Sequence, residues 1–269
     1  MKKLKKVFRV LLLLLGALTI TYFSALLIRK IRVVKTPTLI YTNHFKISYD
    51  GILKSEAESI SKSLEDNYGR IRTELNDPEH DTISVYIHPT QKEFNHATGL
   101  LNSKANGVSR GPKILHLMYQ TWFNSILPAD MEKVAVHEFT HCVQLNILIA
   151  DAKTKYGELD SIEFNKRFEK EFAKKYPQWF WEALCDYQAN IVNKSSVNYS
   201  IKKGLNLKDL NKSNQIYNLG HTIVDYMVTT YGKDKLPEFI KSYGDFENVL
   251  NVSEKDFEIG WKRFVAEKY

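Results

Sequence analysis

Cysteine is nearly missing from this chain. Two cysteines in 269 residues, Cys142 and Cys185, exclude a disulfide scaffold. They are either one disulfide between packed helices or small buried hydrophobes. Acidic residues are absent from the first 35 positions, where nine of the 38 basic residues lie. The remainder carries 29 basic and 31 acidic residues, so the net charge of +7 belongs to the N-terminus and the folded part is slightly acidic. That distribution leaves no electrostatic footprint for nucleic acid. No internal repeat or low-complexity tract occurs. With 43% hydrophobic and 26% charged residues, the composition is that of an ordinary globular protein.

One long apolar run is present. Val10 to Ile28 holds no charge and follows MKKLKKVFR; as a helix it would measure roughly 28 Å, near the ~30 Å hydrocarbon core. No small-residue cleavage site follows it, which favours an uncleaved signal-anchor over a cleaved signal. Five cations before the run against three just after it predict a cytoplasmic N-terminus. The expectation is a single-pass cell-membrane protein: residues 1–35 form a basic tip and transmembrane anchor, and residues 36–269 an extracellular domain.

Beyond the anchor, Lys35 to Thr38 reads as a linker and LIYTNHFKISYD as a strand. Leu53 to Asn76 repeats apolar residues at Ile60, Leu64, Tyr68, Ile71 and Leu75, the spacing of an amphipathic helix. Thr82 to Pro89 predicts a second strand, QKEFNHATGL a short helix, and NGVSRGPKILHLMY one or two strands or a hairpin around Gly111-Pro112. From Asp130 the pattern turns helical: a long helix to about Ala150, a surface helix between Asp151 and Lys175, an aromatic-rich helix after Pro177, and helices near Gln215–Tyr231, Leu236–Tyr243 and Ser253–Lys268. The fold class expected is α+β, with a small mixed sheet in residues 36–128 packed on a mainly helical part in residues 129–269.

The chemistry concentrates in AVHEFTHCVQ. On a helix His137 and His141 lie about 40° apart around the axis, so both imidazoles reach one ion. Glu138 stands off that line, placed to act on a metal-bound water without ligating the metal. The pentapeptide recurs by chance; its apolar surroundings give it weight, since two histidines and a glutamate buried there need partners. Positions 144 and 147 are Gln144 and Ile147, which excludes a third histidine of the extended H-E-x-x-H-x-x-G-x-x-H pattern. Glu158, Glu163, Glu169 and Glu171 lie in a charged segment and read as a solvated face. Glu182 stands among large apolar residues, with Asp186 one turn on and no lysine or arginine from Gln178 to Asn193. A cation at Glu182, with Asp186 accepting a ring N–H from a liganding histidine, would offset both charges.

His137-Glu138-x-x-His141 followed by Glu182-x-x-x-Asp186 resembles the gluzincin, thermolysin-like zinc metallopeptidases. PQWFWEALCDYQA is similar to the P-x-W-x-x-E-G-x-A-x-Y segment of bacterial peptidase MA-like domains, with Ala183 where those carry glycine. The likeness runs from about Ile40 to the C-terminus, through ILHLMY and YNLGHTIVDYMVTTYGKDKL. It implies a zincin-like fold and one zinc ion on His137, His141 and Glu182. It also implies Glu138 as catalytic base, Asp186 behind a ligand, and an edge strand within Asn106 to Leu117 that pairs with a peptide or protein substrate. Tyr217 and His221, one turn apart, are candidates for stabilising an oxyanion, against a core tyrosine and a satisfied histidine. His44, His80, His88, His96 and His116 have no ligand spacing. The activity expected is peptide-bond hydrolysis; the rivals are a zinc hydrolase of another bond and a non-catalytic surface binding protein on the same scaffold.

Overall fold

A computed structural model describes residues 2–32, 36–52, 54–78, 81–120, 128–175 and 177–269. Lys35, Leu53 and His80 therefore lie outside the described residues.

Helix α1 (Lys2–Arg32) precedes the folded part and is exposed along its described apolar length. The expectation of a transmembrane helix is corrected here: among the described residues no helix is long and apolar enough to cross a membrane. The expected single-pass membrane location rested on that segment and is corrected with it.

The α+β expectation holds from β1 onward. Five strands, β1 (Thr38–Tyr41), β2 (Phe45–Tyr49), β3 (Ile83–His88), β4 (Gly107–Ser109) and β5 (Ile114–Met118), form one sheet in the order β1-β2-β3-β5-β4. The central pairs β2–β3 and β3–β5 are parallel, and β1 and β4 add antiparallel edges. LIYTNHFKISYD is two strands and not one. Thr42 N–H donates to the Phe45 carbonyl at 3.0 Å, closing a turn. His44 is held there by Glu65, which accepts from its backbone N–H at 2.8 Å.

Alternation sorts the sheet's faces, as a period of two requires. Phe45, Ile47, Ile83, Val85, Ile87, Leu115 and Leu117 are buried in one continuous core. Onto that core pack α2 (Lys54–Leu75), through Ile60, Leu64, Ile71 and Leu75, and α4 (Met131–Tyr156). Helix α3 (Gln91–Thr98) is capped by Thr90, whose hydroxyl accepts from Glu93 N–H, and it buries Phe94. Helix α4 starts at the Asp130 cap and runs past Ala150 to Gly157, whose φ of 69° breaks it.

Between α2 and α4 sits a buried ion pair, Arg72 Nη1 to Asp77 at 2.8 Å, with Asn146 Nδ2 donating to the same carboxylate oxygen at 3.4 Å. Both side chains are nearly inaccessible. Removing one partner leaves a buried charge uncompensated, so Asp77→Ala is expected to lose about 3–5 kcal/mol in urea unfolding. A loss under 1 kcal/mol would show that the pair is solvated.

The C-terminal half comprises α5 (Ser161–Lys175), α6 (Gln178–Gln188), α7 (Lys194–Ile201), α8 (Leu207–Leu210), α9 (Ile216–Tyr231), α10 (Lys235–Lys241), α11 (Phe246–Leu250) and α12 (Glu254–Lys268). Three of these, α7, α8 and α11, are absent from the sequence reading. Each is short and begins at an Asn or Asp cap (Asn193, Asn206, Asp245) in a polar stretch without a long apolar period. Helices α6 and α9 come close at Gly220, where a Cβ would lie 2.9 Å from the Ala183 Cα.

Candidate metal centre

Helix α4 carries His137, Glu138 and His141 in its buried middle, and the two imidazoles meet edge to face with ring centroids 4.9 Å apart. Helix α6 crosses over them. Its first turns contain no cation to neutralise Glu182, which lies 3.3 Å from His137 Nε2 and 3.9 Å from His141 Nε2 through the same oxygen. One turn on, Asp186 Oδ1 lies 3.0 Å from His137 Nδ1. Four of the five residues expected at the centre, His137, His141, Glu182 and Asp186, come together within these distances.

A buried group of His137, His141 and Cys185 could hold a metal ion. Cys185 Sγ lies 3.1 Å from His141 Nδ1 and donates to Gln144 Oε1 at 3.3 Å. Neither cysteine is in a disulfide; Cys142 and Cys185 are both free and buried. In the sequence Cys185 reads only as a small apolar neighbour of Glu182, and its reach to His141 follows from the crossing of α4 and α6.

The fields in the centre are strong because water is largely excluded. Burial works against the charged form of His137, yet its bonds to Asp186 and Glu182 push it up to about 10. Burial and the neighbouring His137 charge bring His141 down to about 4. Burial works to raise Glu182 as well, but its hydrogen bond with His137 and the His141 charge hold it below the ordinary carboxylate range. Asp186 is raised by burial, and its second oxygen has no hydrogen-bond partner among the described residues. Burial drives the Cys185 thiol well above its ordinary value.

Glu138 stands apart from this cluster. Burial raises it to about 7, against the attraction of His137 and with repulsion from Glu182, and it accepts the Ser109 backbone N–H. Strand β4 passes directly over it: a Cβ on Gly107 would fall 2.6 Å from Glu138 Cγ and 2.7 Å from Oε1. Gly107 is a residue the sequence reading did not single out, beyond placing it in the edge-strand region. Gly107→Ala is expected to displace Glu138 or β4 and to lower any activity that uses this carboxylate by about 100-fold, the scale of an ångström-sized misplacement. Metal content should be unchanged. An unimpaired Gly107→Ala protein would mean that the strand yields freely.

The sheet order leaves β4 at an edge, and that edge borders a cavity of about 880 Å³ which Glu138, His137, His141, Trp181 and Tyr217 also line. Tyr217 is half exposed there, and burial with the nearby Glu182 charge raises its hydroxyl to about 12. His221 is not a lining residue of this cavity. It borders a separate one with Arg70 and Lys233, and its Nδ1 lies 3.4 Å from the Asp186 carbonyl. Among the other histidines, His44 bonds Glu65 and His88 bonds His116, while His96 is exposed.

No protein-family model matches the chain, and no curated protein matches it. The resemblance to gluzincins therefore rests on the residues of α4 and α6.

Proposed function

We propose that the protein is a zinc metallopeptidase of the gluzincin type, with His137, His141 and Glu182 as ligands of one zinc ion, Glu138 as catalytic base and Asp186 orienting His137. The observation that carries this is the position of Glu182 beside the Nε2 atoms of both histidines. A tetrahedral ion with bonds of 2.0–2.1 Å needs its ligand atoms roughly 3.3 Å apart; the carboxylate oxygen lies 3.3 and 3.9 Å from the two Nε2 atoms. Each Nδ1 is already engaged, by Asp186 and by Gln144, which turns Nε2 outward. Cys185 faces the engaged side of His141 and holds its proton firmly, so Glu182 is the better third ligand.

Zinc bound there would supply a Lewis acid that polarises a carbonyl and acidifies water. The Glu138 carboxylate, raised to about 7, is poised to take a proton from water near neutral pH and to pass it to a departing amine. Strand β4 is the sheet edge beside the cavity, where an extended peptide can add as a further strand. Tyr217 reaches the same cavity and is the better placed of the two oxyanion candidates; His221 supports α6 from behind.

Cleavage of a quenched-fluorescence peptide library by the full chain tests this reading. Activity should be abolished by a chelator and restored by zinc. Ester or phosphoester probes cleaved in preference to every peptide would assign another bond. Bound zinc with no hydrolysis of any probe would assign a binding protein.

A further inference from the structure

We propose that Gln144 is a positioning residue of the metal centre. It holds His141 in the tautomer that presents Nε2 and ties the helix bearing Glu182 to the helix bearing the histidines. The proposal rests on the reading of this site as a metal centre.

Gln144 follows His141 by three positions on α4, so its side chain lies on the same face, and it is wholly buried. Its Oε1 lies 3.0 Å from His141 Nδ1 and also accepts from the Cys185 thiol. An amide oxygen can only accept, so the proton of that contact sits on Nδ1 and Nε2 is left with a free lone pair. The amide nitrogen of the same side chain donates to the Trp181 carbonyl at 3.3 Å. Trp181 immediately precedes Glu182, and its indole stacks on the His141 ring with centroids 4.6 Å apart and planes 14° from parallel.

One side chain thus fixes the edge of His141 and the backbone next to Glu182. The two ligand histidines are backed differently: His137 by the Asp186 carboxylate, His141 by a neutral amide. Without Gln144 the Nδ1–H of His141 would be buried with only a weak sulfur acceptor, and the tautomer with Nε2 protonated would become competitive. Such supporting bonds are worth about 10- to 100-fold in metal affinity.

The test is zinc affinity of the full chain by chelator competition, for the natural protein, Gln144→Met, which keeps the shape and loses the acceptor, and Gln144→Glu, which keeps the acceptor. Gln144→Met should bind zinc about 10- to 100-fold more weakly, and Gln144→Glu should recover most of that loss. Equal affinity of Gln144→Met and the natural protein overturns the proposal, as does equal weakening in both variants. Nitrogen-15 spectra of the histidines in the zinc-loaded natural protein supply a test independent of any variant. A proton on His141 Nδ1 supports the proposal, and one on Nε2 overturns it. A natural protein that takes up no zinc fails the metal reading itself, a result distinct from all of these.

Discussion

Glu138→Gln is expected to lose peptide hydrolysis by about 10²–10⁴-fold, the usual contribution of a positioned general base. That is ~3–5 kcal/mol of transition-state stabilisation. It should still bind zinc as the natural protein does. The amide is nearly isosteric with the carboxylate, so it fits beneath Gly107, where a Cβ would lie only 2.6 Å from Glu138 Cγ. It cannot accept a proton from water. The carboxylate is not a ligand in the proposed set, so metal stoichiometry by mass spectrometry should be unmoved. The loss should fall on kcat and on kcat/KM alike. Hydrolysis at the natural rate by Glu138→Gln would end the mechanism; lost zinc would mean that Glu138 supports the ligand set.

The second large effect concerns the third ligand. Glu182→Ala should weaken zinc binding by on the order of 100-fold or more, beyond the range of a supporting residue, whereas Cys185→Ala should weaken it by less than about 10-fold. The pair of variants separates the two arrangements that share the histidines. One uses both Nε2 atoms with Glu182. The other uses Cys185, 3.1 Å from His141 Nδ1. A thiol must lose its proton to ligate, and burial makes that loss unfavourable for Cys185. If Cys185→Ala loses the metal and Glu182→Ala keeps it, the centre is a buried structural site, and hydrolysis has no open position to use.

Much of this arrangement is local and therefore legible in the sequence. His137 and His141 share a face because a helix turns about 100° per residue, and the same spacing joins Glu182 to Asp186. The absence of lysine and arginine around those acids announces an uncompensated pair before any fold is known. The amphipathic period of α2 placed its buried face correctly, and the strand expected within Thr82 to Pro89 is β3. Short capped helices such as α8 carry no such period.

What only the tertiary structure decided is which distant groups meet. Gln144 reads as a failed glycine of a longer motif, and it becomes a link between helices because Trp181 lies across from it. Gly107 is unremarkable until β4 is laid over Glu138. Tyr217 and His221 occupy neighbouring turns of α9, yet they border different cavities. Hydropathy alone expected a membrane span at Val10 to Ile28, and no described helix meets that requirement. Periodicity along one helix is a property of the chain, whereas the crossing of α4, α6 and β4 depends on how side chains from remote segments fill one core.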